Sequence, residues 1–557
     1  MKNTIWKFLP EHKEAEEISK EFSLDKRVAN ILLNRGLNIK EQIRRFLNPS
    51  LDNLYEPFLL EGIKESVERI LRAKEKGEKI IIIGDYDVDG LSSSILLHKA
   101  FSLLNIKNTY YIPHRLNHGY GVKKEDINIV KESGATLVIT VDNGITGFDF
   151  AEEIINTPID LIITDHHIPA EELPPALSII NPKLKNSNYP FKHLAGVGVA
   201  FKLVQALFKS LNLENLLPPF LKWAALGTIA DVVPLIDENR IIVSNGIKEI
   251  ENSSDPALNA LMKVSGVSSK GLNTEDFLFR ICPRINVAGR LEDPNMIMSL
   301  FLSAEQEALK IAKNLNKLNV KRQSIENKIL NEAKNLIQKR GFSEDPIIIV
   351  EKEGWHKGVI GIVASKLVEE YGRPVILIAI DENGKGHASG RSAGKISLID
   401  KIRTLEENLK TEEGDLNFGG HAQAIGFTID AHRIEGLREA IRKSFNKEDT
   451  LIKKRFLVDG EIDLFNLNGN FFKSFNKLKP FGFGNTKPVF ALLDANIKMK
   501  VRKDSKRVNL KISKNSSEIE AYLWKRPYLD LNSNKKHIIF TIHTYSNKFV
   551  IEVLDIK

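Results

Sequence analysis

The chain runs Ile80-Ile81-Ile82-Ile83-Gly84-Asp85-Tyr86-Asp87-Val88-Asp89-Gly90 and then reaches three consecutive serines, residues 92–94. A short apolar run that stops at a glycine is typical of a buried strand, and a hydroxyl-rich segment before a new apolar stretch is typical of a helix start. Three carboxylates therefore lie in one strand-to-helix turn. Because converging negative charges repel at neutral pH, the turn predicts a bound cation, and a hard divalent metal ion suits carboxylate oxygens.

A calcium loop and a helix cap fit the three aspartates less well. Asp-x-Asp-x-Asp-Gly also begins an EF-hand calcium loop, which needs a bidentate glutamate at its twelfth position. Counted from Asp85, that position is Leu96. Helix capping accounts for one carboxylate at a helix start, but not for three.

Short apolar runs alternate with helix-length spacers after residue 78, at residues 80–83, 109–112, 137–141, 161–164 and 177–180. This alternation predicts an α/β fold with a mostly parallel, doubly wound sheet and right-handed crossovers. Ligands of such sheets gather beyond the carboxyl ends of the strands. Reactive side chains recur there, because Asp142 follows the third run, Asp165, His166 and His167 follow the fourth, and Asp231 follows a predicted helix.

The mixture of carboxylates and imidazoles narrows the chemistry. This ligand set suits manganese or zinc better than magnesium alone. Two metal ions that share a bridging carboxylate would clamp the attacking and leaving oxygens of a phosphoryl group. The sequence therefore predicts phosphoester hydrolysis.

The rest of the chain divides by pattern. Residues 1–75 are helical in pattern, and residues 301–340 have helical spacing without proline or glycine, which predicts a connecting helix or helix pair between two lobes that leave a cleft. A second α/β lobe follows, with strands at 347–350 and 375–380 and a helix at 360–367. β-Branched segments at 508–512, 519–523, 538–542 and 549–553 predict a small barrel of the OB type.

Charge is distributed unevenly along the chain. The whole chain carries a net charge of +8, whereas residues 451–557 contain 21 Lys and Arg against 10 Asp and Glu, a net of +11. The same segment contains 14 aromatic residues, and exposed rings beside lysines such as Lys473 and Lys500 would stack on bases without reading sequence. A basic module on a near-neutral body favours nucleic acid as a partner.

Length and composition set outer limits. A chain of 557 residues with 42% hydrophobic residues predicts three or four globular domains. The single cysteine, Cys282, excludes an intrachain disulfide and is expected in a core. The sequence contains no apolar run long enough to span a bilayer and no signal-peptide core near the N-terminus, so we expect no membrane association and a cytoplasmic location.

Several motifs, in order and spacing, resemble the DHH phosphoesterase superfamily. These are residues 85–90, 141–144, 165–167 and 227–234. Residues 111–115, 193–200 and 284–290 are similar to its single-strand-specific 5′-to-3′ exonuclease branch, residues 419–427 to the glycine-histidine signature of the DHH-associated domain, and residues 478–485 to the segment that leads into an OB-like domain. Thr486 departs from the family's usual proline at a turn.

The resemblance implies roles for particular residues. The metal ligands for Mn²⁺ or Mg²⁺ in a two-metal site would be Asp85, Asp87, Asp89, Asp142, His166 and Asp231, with Asp85 either a ligand or a support for the ligands. Asp89, His166 and His167 would be catalytic, with His167 on the scissile phosphate. Substrate would be bound by Arg115, Arg290, Ser389, Gly390, Arg391 and His421.

The expected protein is a 5′-to-3′ exonuclease of single-stranded DNA in repair and recombination, monomeric, with single-strand-binding protein and a helicase as further partners. Its expected parts are an N-terminal helical element (1–75), a DHH domain (76–300), a connecting helix (301–340), a DHH-associated domain (341–450) and an OB-like domain (451–557). Two alternatives stay open. A phosphodiesterase of short oligonucleotides or cyclic dinucleotides would not need the basic module, and a non-catalytic replication scaffold would have lost metal ligands that this sequence retains.

Overall fold

The computed structural model describes residues 4–114, 121–394, 396–400, 402, 418–421, 423–446, 450, 455–500, 507–524, 536–545 and 548–557. They form two compact units. The larger unit contains Lys7–Asn316 and Leu457–Lys557, and the smaller unit contains Lys317–Phe456 with the N-terminal end of the chain. The basic C-terminal module therefore belongs to the same compact unit as the three-aspartate turn.

Four helices follow the short strand β1 (Ile5–Phe8). They are α1 (Ala15–Phe22), α2 (Lys26–Asn34), α3 (Lys40–Leu47) and α4 (Ile63–Lys76). Side chains of the first three, such as Val28 and Ile43, are buried in one apolar core with Phe471 and Phe540 of the C-terminal module. The N-terminal helices thus complete the core of a module that lies more than four hundred residues later in the sequence.

The five predicted apolar runs form one parallel sheet. Its strands are β2 (Ile80–Gly84), β3 (Asn108–Tyr111), β4 (Leu137–Val141), β5 (Asp160–Thr164) and β6 (Ser178–Ile180). The order across the sheet is β3-β2-β4-β5-β6, and every pairing is parallel. The four isoleucines of β2 are at most 1% exposed, because a central parallel strand is covered on both faces. The predicted doubly wound sheet is confirmed.

Ten α-helices of the larger unit follow β2 in the sequence, up to residue 302. They are α5 (Val88–Leu103), α6 (Ile127–Ser133), α7 (Phe148–Ile155), α8 (Gly196–Ser210), α9 (Leu221–Ala230), α10 (Asp237–Asn252), α11 (Pro256–Ser265), α12 (Thr274–Asp276), α13 (Cys282–Leu291) and α14 (Asn295–Leu302), in the described part of the chain. A π-helical segment, Phe277–Ile281, joins α12 to α13. Cys282 is buried, and burial raises the pKa of its thiol to about 12, as expected for a core residue.

The start of α5 differs from the prediction. The three serines were expected to begin the helix, but the helix begins at Val88, and Ser92, Ser93 and Ser94 are buried inside it. Asp87 is the N-cap, because its Oδ1 accepts the backbone N–H groups of Asp89 and Gly90 at 2.8 and 3.2 Å. A capping carboxylate is a stronger start signal than the downstream hydroxyls, so the prediction of the helix start was wrong.

A single helix, α15 (Glu305–Arg340), covers 36 residues. It settles the alternative between one helix and a helix pair, and it runs across the chain boundary between the two units at Lys317. In the described ranges no helix has the length and apolar composition needed to cross a bilayer.

The smaller unit contains a mixed sheet of order β10-β11-β9-β8-β7. Its elements are β7 (Ile348–Glu353), α16 (Ile360–Tyr371), β8 (Val375–Ile380), β9 (Lys385–Arg391), β10 (Phe418–His421), β11 (Ala424–Asp430) and α17 (Ile434–Ser444). β7 and β8 are parallel, whereas the remaining pairs are antiparallel. The second predicted α/β lobe is confirmed.

The C-terminal module is a closed barrel. Its elements are β12 (Arg455–Val458), β13 (Gly460–Glu461), α18 (Gly469–Asn476), β14 (Val489–Lys500), β15 (Arg507–Lys514), β16 (Ser517–Trp524), β17 (Lys536–Tyr545) and β18 (Lys548–Ile556). Five strands pair in the order β14-β15-β16-β18-β17, and β17 pairs again with β14 to close the barrel. The predicted OB-like barrel is confirmed, although the prediction from sequence missed β14.

Candidate metal centre

The parallel sheet brings three aspartates to one edge. Strand order reverses between β2 and β4, because the chain moves from β2 outward to β3 and then returns to the other side of β2 for β4. Such a switch point opens a crevice at the carboxyl ends of the strands. Gly84 pairs with Val141, and Val141 pairs with Thr164. Asp85, Asp142 and Asp165 are therefore the next residue on three neighbouring strands.

Asp89 is held by a helix that begins far along the sequence. Its Oδ2 accepts the backbone N–H of Gly196 at 2.7 Å, and its Oδ1 accepts that of Val197 at 2.9 Å. These are the first amides of α8, whose free N–H groups and dipole stabilise a carboxylate. The glycine-rich segment at 193–200 thus contributes backbone amides to the acidic cluster.

Two glycines leave room for the carboxylates. A Cβ at Gly196 would lie 2.5 Å from Asp142 Oδ1, and a Cβ at Gly227 would lie 2.6 Å from Asp89 Oδ1. Both distances are shorter than any tolerable contact. The two motifs, residues 193–200 and 227–234, therefore contain glycine where another residue would displace an aspartate.

His166 lies among three carboxylates. Its Nε2 is 3.2 Å from Asp142 Oδ1, 3.7 Å from Asp231 Oδ2 and 4.0 Å from Asp89 Oδ2. Asp142 has φ of 60°, a left-handed conformation that aspartate tolerates better than most residues. The side chain of His166 is buried, and its Nε2 makes no hydrogen bond within the described residues. An imidazole nitrogen surrounded by carboxylate oxygens is a typical metal-ligand arrangement.

Asp231 joins the cluster from the C-terminal end of α9, where its backbone N–H bonds to Gly227 O. The next residue, Val232, has φ of 58° and is half exposed. A β-branched residue rarely adopts this conformation, and such strain persists only where the surroundings impose it. The loop that carries Asp231 is therefore held in a costly shape.

The pKa values of these groups follow from burial and mutual repulsion. Burial, followed by the charges of neighbouring aspartates, raises the pKa of Asp89 and of Asp142 well above the usual range. Burial and the charge of Asp87 raise the pKa of Asp231 to about 7, and burial lowers the pKa of His166 to about 3. The site thus disfavours its own negative charges, which a divalent cation would compensate.

Asp165 orients His167. Burial alone would lower the pKa of His167, but its Nδ1 lies 2.7 Å from Asp165 Oδ1, and this hydrogen bond and charge raise the pKa overall. Asp165 also accepts the backbone N–H groups of Ile145, His166 and His167. A carboxylate fixed by three amides holds the imidazole with its other nitrogen directed away from Asp165.

The donor set fits metal ions. Three groups of side chains each have ligand atoms within 4.8 Å of one another, namely Asp142 with His166 and His167, Asp89 with His166 and Asp231, and Asp85 with Asp87 and Asp142. Asp142 and His166 belong to two groups each. All six ligands named from the sequence are therefore brought together, and His167 lies with them.

The prediction from sequence missed Asn181 and Lys183. The side-chain amide of Asn181 donates to His167 O at 2.9 Å, and the positive charge of Lys183 partly opposes the burial that raises the pKa of Asp231. Both residues follow β6 at the same edge of the sheet. Their position after a predicted strand was the available signal, but the segment lacks a carboxylate or an imidazole.

Of the two substrate-binding arginines predicted in the larger unit, Arg290 lies in the described part of the chain. Gly289, before Arg290 in α13, packs against the metal turn, since a Cβ there would lie 3.2 Å from Tyr86 O. Arg290 is half buried at the end of the same helix. Arg115 lies outside the described residues.

In the smaller unit, Ser389 and Arg391 lie on one face of β9. A Cβ at Gly361 would lie 2.8 Å from Ser389 Oγ and 2.9 Å from an Arg391 guanidinium nitrogen, so the first turn of α16 adjoins both. Gly390 lies on the opposite, buried face, where a Cβ would lie 2.7 Å from Ile425. Close packing thus explains why position 390 is a glycine. The guanidinium of Arg391 and the start of α16, by contrast, are suited to bind an anion. Only the backbone of His421 is described, at the end of β10.

The loop leading into the barrel is fixed to the helices around the parallel sheet. Arg240, 2% exposed, donates to the backbone oxygens of Phe46, Lys477, Leu478 and Lys479. Thr274 Oγ1 donates to Phe481 O, and Leu235 N donates to Phe483 O at 2.7 Å. The same loop therefore bonds to the segment just after Asp231.

The aromatic rings of the C-terminal module divide into core and surface. Phe471, Phe475 and Phe481 are buried, whereas Phe483 and Trp524 are 60% and 53% exposed. Exposed rings on a basic barrel are available for base stacking.

Comparison with known proteins identifies relatives over most of the chain. "Single-stranded-DNA-specific exonuclease RecJ" of Bacillus subtilis is 35% identical over 519 residues, 92% of this chain and 64% of that protein. The chain thus spans less than two thirds of that relative's length. The Salmonella typhimurium protein of the same name is 34% identical over 451 residues, 77% of this chain and 78% of that protein.

Solved structures agree. Crystal structures of RecJ from Thermus thermophilus in complex with Mn²⁺ and with Mg²⁺ match with TM-scores of 0.85 and 0.77 at 27% and 26% identity. Both matches cover 100% of this chain, and they cover 80% and 78% of those chains.

Family models match three parts of the chain. They are the DHH family, N-terminal domain over residues 79–228, the DHHA1 domain over residues 344–447 and the RecJ OB domain over residues 458–549. The parallel sheet, its acidic edge and the first two matches place the chain in the DHH class of proteins. The third model is described for RecJ, the name that the relatives carry. The chain belongs to the RecJ family.

Proposed function

We propose that this protein is a metal-dependent exonuclease that hydrolyses single-stranded DNA from the 5′ end to mononucleotides. The observation that carries the proposal is the cluster of Asp89, Asp142, Asp231 and His166, whose Nε2 lies 3.2–4.0 Å from three carboxylate oxygens. Burial of carboxylates that repel one another lowers stability unless a cation compensates their charge. A bound divalent metal ion would supply this compensation.

The proposed ligands are Asp85, Asp87, Asp89, Asp142, His166 and Asp231, which share Asp142 and His166 between overlapping groups. Bound Mn²⁺ or Mg²⁺ would supply Lewis-acid stabilisation of the phosphoryl oxygens and activation of water. The imidazole favours Mn²⁺, since Mg²⁺ prefers an all-oxygen shell. Binding should therefore be tighter for Mn²⁺.

His167 is the proposed phosphate contact. Asp165 fixes its Nδ1 and raises its pKa against the effect of burial, so the ring can carry a proton and present Nε2–H to a phosphate oxygen. A charge-assisted hydrogen bond of this kind stabilises negative charge that develops on the phosphate. Asp165 acts through His167 as a positioning residue.

Further contacts would hold the strand. Arg290 adjoins the metal turn through Gly289, and Arg391 with Ser389 beside the start of α16 offers a site for a terminal phosphate. Arg115 and His421 stay proposed contacts on sequence grounds. The barrel, with a net charge of +11 over residues 451–557 and exposed Phe483 and Trp524, would bind the single strand through phosphates and stacking.

The wider setting is proposed from the family. We retain the division into residues 1–75, 76–300, 301–340, 341–450 and 451–557, a monomeric state, a cytoplasmic site of action in DNA repair and recombination, and single-strand-binding protein and a helicase as partners. Size-exclusion chromatography with light scattering tests the monomer. A stable dimer would contradict it.

The activity assay incubates the purified chain with Mn²⁺ and four labelled substrates: a long single strand, the matching duplex, an oligonucleotide of a few residues and a cyclic dinucleotide. We expect labelled mononucleotide from the 5′-labelled long strand at early times, and from a 3′-labelled strand only at the end of digestion. Cleavage of only the short or cyclic substrates would replace the proposal with a small-substrate phosphodiesterase. Strand binding without cleavage under any divalent metal would indicate a scaffold.

A further inference from the structure

A cavity lies in the larger unit, apart from the metal cluster. Its volume is about 350 Å³, within the range of small-molecule sites. It is enclosed by the end of α3, the helix α10, the segment around Thr274 and the loop that leads into the barrel. None of the six proposed metal ligands is among the residues that line it.

The cavity has an excess of positive charge. It is lined by four cationic residues, Arg240, Lys248, Lys477 and Lys479, and no acidic side chain in the described ranges forms an ion pair with any of them. Burial lowers the pKa of Lys479 and that of Arg240, as expected for cations that lack a counter-charge. An anion in the cavity would supply that counter-charge.

The two acidic residues that line the cavity, Glu251 and Glu275, already have partners within the protein. Glu275 lies 2.6 Å from Lys487 Nζ and 3.4 Å from His543 Nδ1, so this cluster is internally compensated. Glu251 accepts the backbone N–H of Leu272 at 2.8 Å and is the one remaining negative charge against the four cations. The cavity therefore attracts anions rather than cations.

The remaining wall is apolar. Ile247, Leu272, Phe481 and Ile542 line the same space. A ligand that fits both the cationic wall and the apolar wall must combine a compact anionic group with a planar or apolar group. A phosphate monoester joined to a nucleobase through a sugar has this composition, and the ammonium groups of Lys248 and Lys479 can each donate to phosphate oxygens.

We propose that this cavity is a binding site for a nucleoside monophosphate, distinct from the metal cluster. Its phosphate lies near Lys248 and Lys479, and its base packs on the apolar wall. In the loop that forms one wall, the carbonyl of Phe483 accepts the backbone N–H of Leu235, four residues after Asp231. This bond joins one wall of the cavity to the segment that follows a proposed metal ligand.

The test is calorimetric titration of the full chain in EDTA, where no hydrolysis interferes. Deoxyadenosine monophosphate is expected to bind at one site. Deoxyadenosine and inorganic phosphate should each bind at least about tenfold more weakly, because the first lacks the phosphate group and the second lacks the base. K248Q and K479Q are each expected to weaken the nucleotide by about tenfold through loss of a charge-assisted hydrogen bond. The matched control is K263Q, at an exposed lysine of α11 in the same unit that does not line the cavity, and this variant should bind the nucleotide as the unaltered chain does.

Three outcomes would overturn the proposal. The first is an absence of binding at millimolar nucleotide. The second is binding that R391Q abolishes and K479Q does not, which would assign the nucleotide to the phosphate site beside α16. The third is a 5′-phosphorylated oligonucleotide that competes at the Lys479-dependent site with higher affinity than the free nucleotide, which would make the ligand a strand end.

Discussion

The larger unit contains two clusters of buried charge that differ in how they are satisfied. At the edge of the parallel sheet, Asp89, Asp142 and Asp231 lie together with raised pKa values, and the nearby His166 Nε2 has no hydrogen bond among the described residues. The second cluster is the barrel junction, where residues 477–487 leading into the barrel meet α10 and Glu275. Arg240 is equally buried there, but its guanidinium donates to four backbone oxygens and its Cζ lies 3.7 Å from the centroid of the Phe46 ring.

The difference separates a functional cluster from a structural one. A buried ion that is fully hydrogen-bonded contributes to a unique packing arrangement, and removal of its partners or of the ion leaves orphaned groups. Carboxylates that repel one another lower stability until a cation is added. Removing charge should therefore stabilise the sheet edge and destabilise the junction.

The largest expected effect is at the sheet edge. D142N preserves the size of the side chain, and the new amide residue also tolerates a φ of 60°. The substitution removes the carboxylate charge that two of the ligand groups share. We expect nuclease activity to fall by about 10³-fold or more, in line with the loss of a main electrostatic contributor to catalysis. In EDTA the variant should unfold at a higher temperature than the unaltered chain, and Mn²⁺ should raise that temperature less.

The matched control is D149N, which removes an exposed aspartate of α7 on the same domain. It should leave activity and the response to Mn²⁺ unchanged. If D142N lowered stability in EDTA, the sheet edge would be a structural cluster, and the contrast with the junction would fail.

At the junction, R240M should destabilise the larger unit by about 3–5 kcal/mol, because four backbone oxygens lose their donor. Urea unfolding measures the loss. R240K should rescue little, since one ammonium cannot reproduce the planar fork. Stability equal to that of the unaltered chain would mean that the carbonyl contacts are replaceable by water.

A backbone change can disturb the sheet edge without altering its charge. In G227A the new methyl group would meet Asp89 Oδ1 at 2.6 Å and Val197 Cγ1 at 2.7 Å, so Asp89 must move. Displacement of a ligand by about 1 Å should lower activity by about 10²-fold. The control is G436A in α17, where a Cβ meets nothing within 4 Å, and it should stabilise its helix by up to about 1 kcal/mol.

Local sequence was sufficient for the strands and most ligands. Asp85 and Asp142 directly follow strands, and His166 is the second residue after another strand, so strand prediction alone brings them to one edge. Contacts between distant segments were not predictable, because nothing near Asp89 indicates the amides of Gly196 and Val197, which lie more than a hundred residues later. Arg240 likewise has no local signal that separates it from a solvated arginine.

The smallest effect concerns pH at the junction, where Glu275, Lys487 and His543 form one cluster. Burial would raise the pKa of Glu275, but His543 and Lys487 lower it to about 2, below its unfolded value. This contribution is present above about pH 4.5 and is lost as the pH falls towards 2. Allowing for solvent screening of a partly exposed group, it amounts to about 1–2 kcal/mol.

His543 has the opposite dependence. Burial would lower its pKa, but hydrogen bonds with Glu275 and Glu552 raise it above the usual value, so its contribution is complete below about pH 6.5 and is lost as the pH rises through the raised pKa. We expect junction stability to be greatest between these limits and to decline above neutrality. H543Q should remove the decline on the alkaline side while E275Q removes the loss on the acidic side, as urea unfolding across pH would record. A decline of equal size in both variants would assign the pH dependence to the sheet edge, whose carboxylates would then govern the stability of the whole unit.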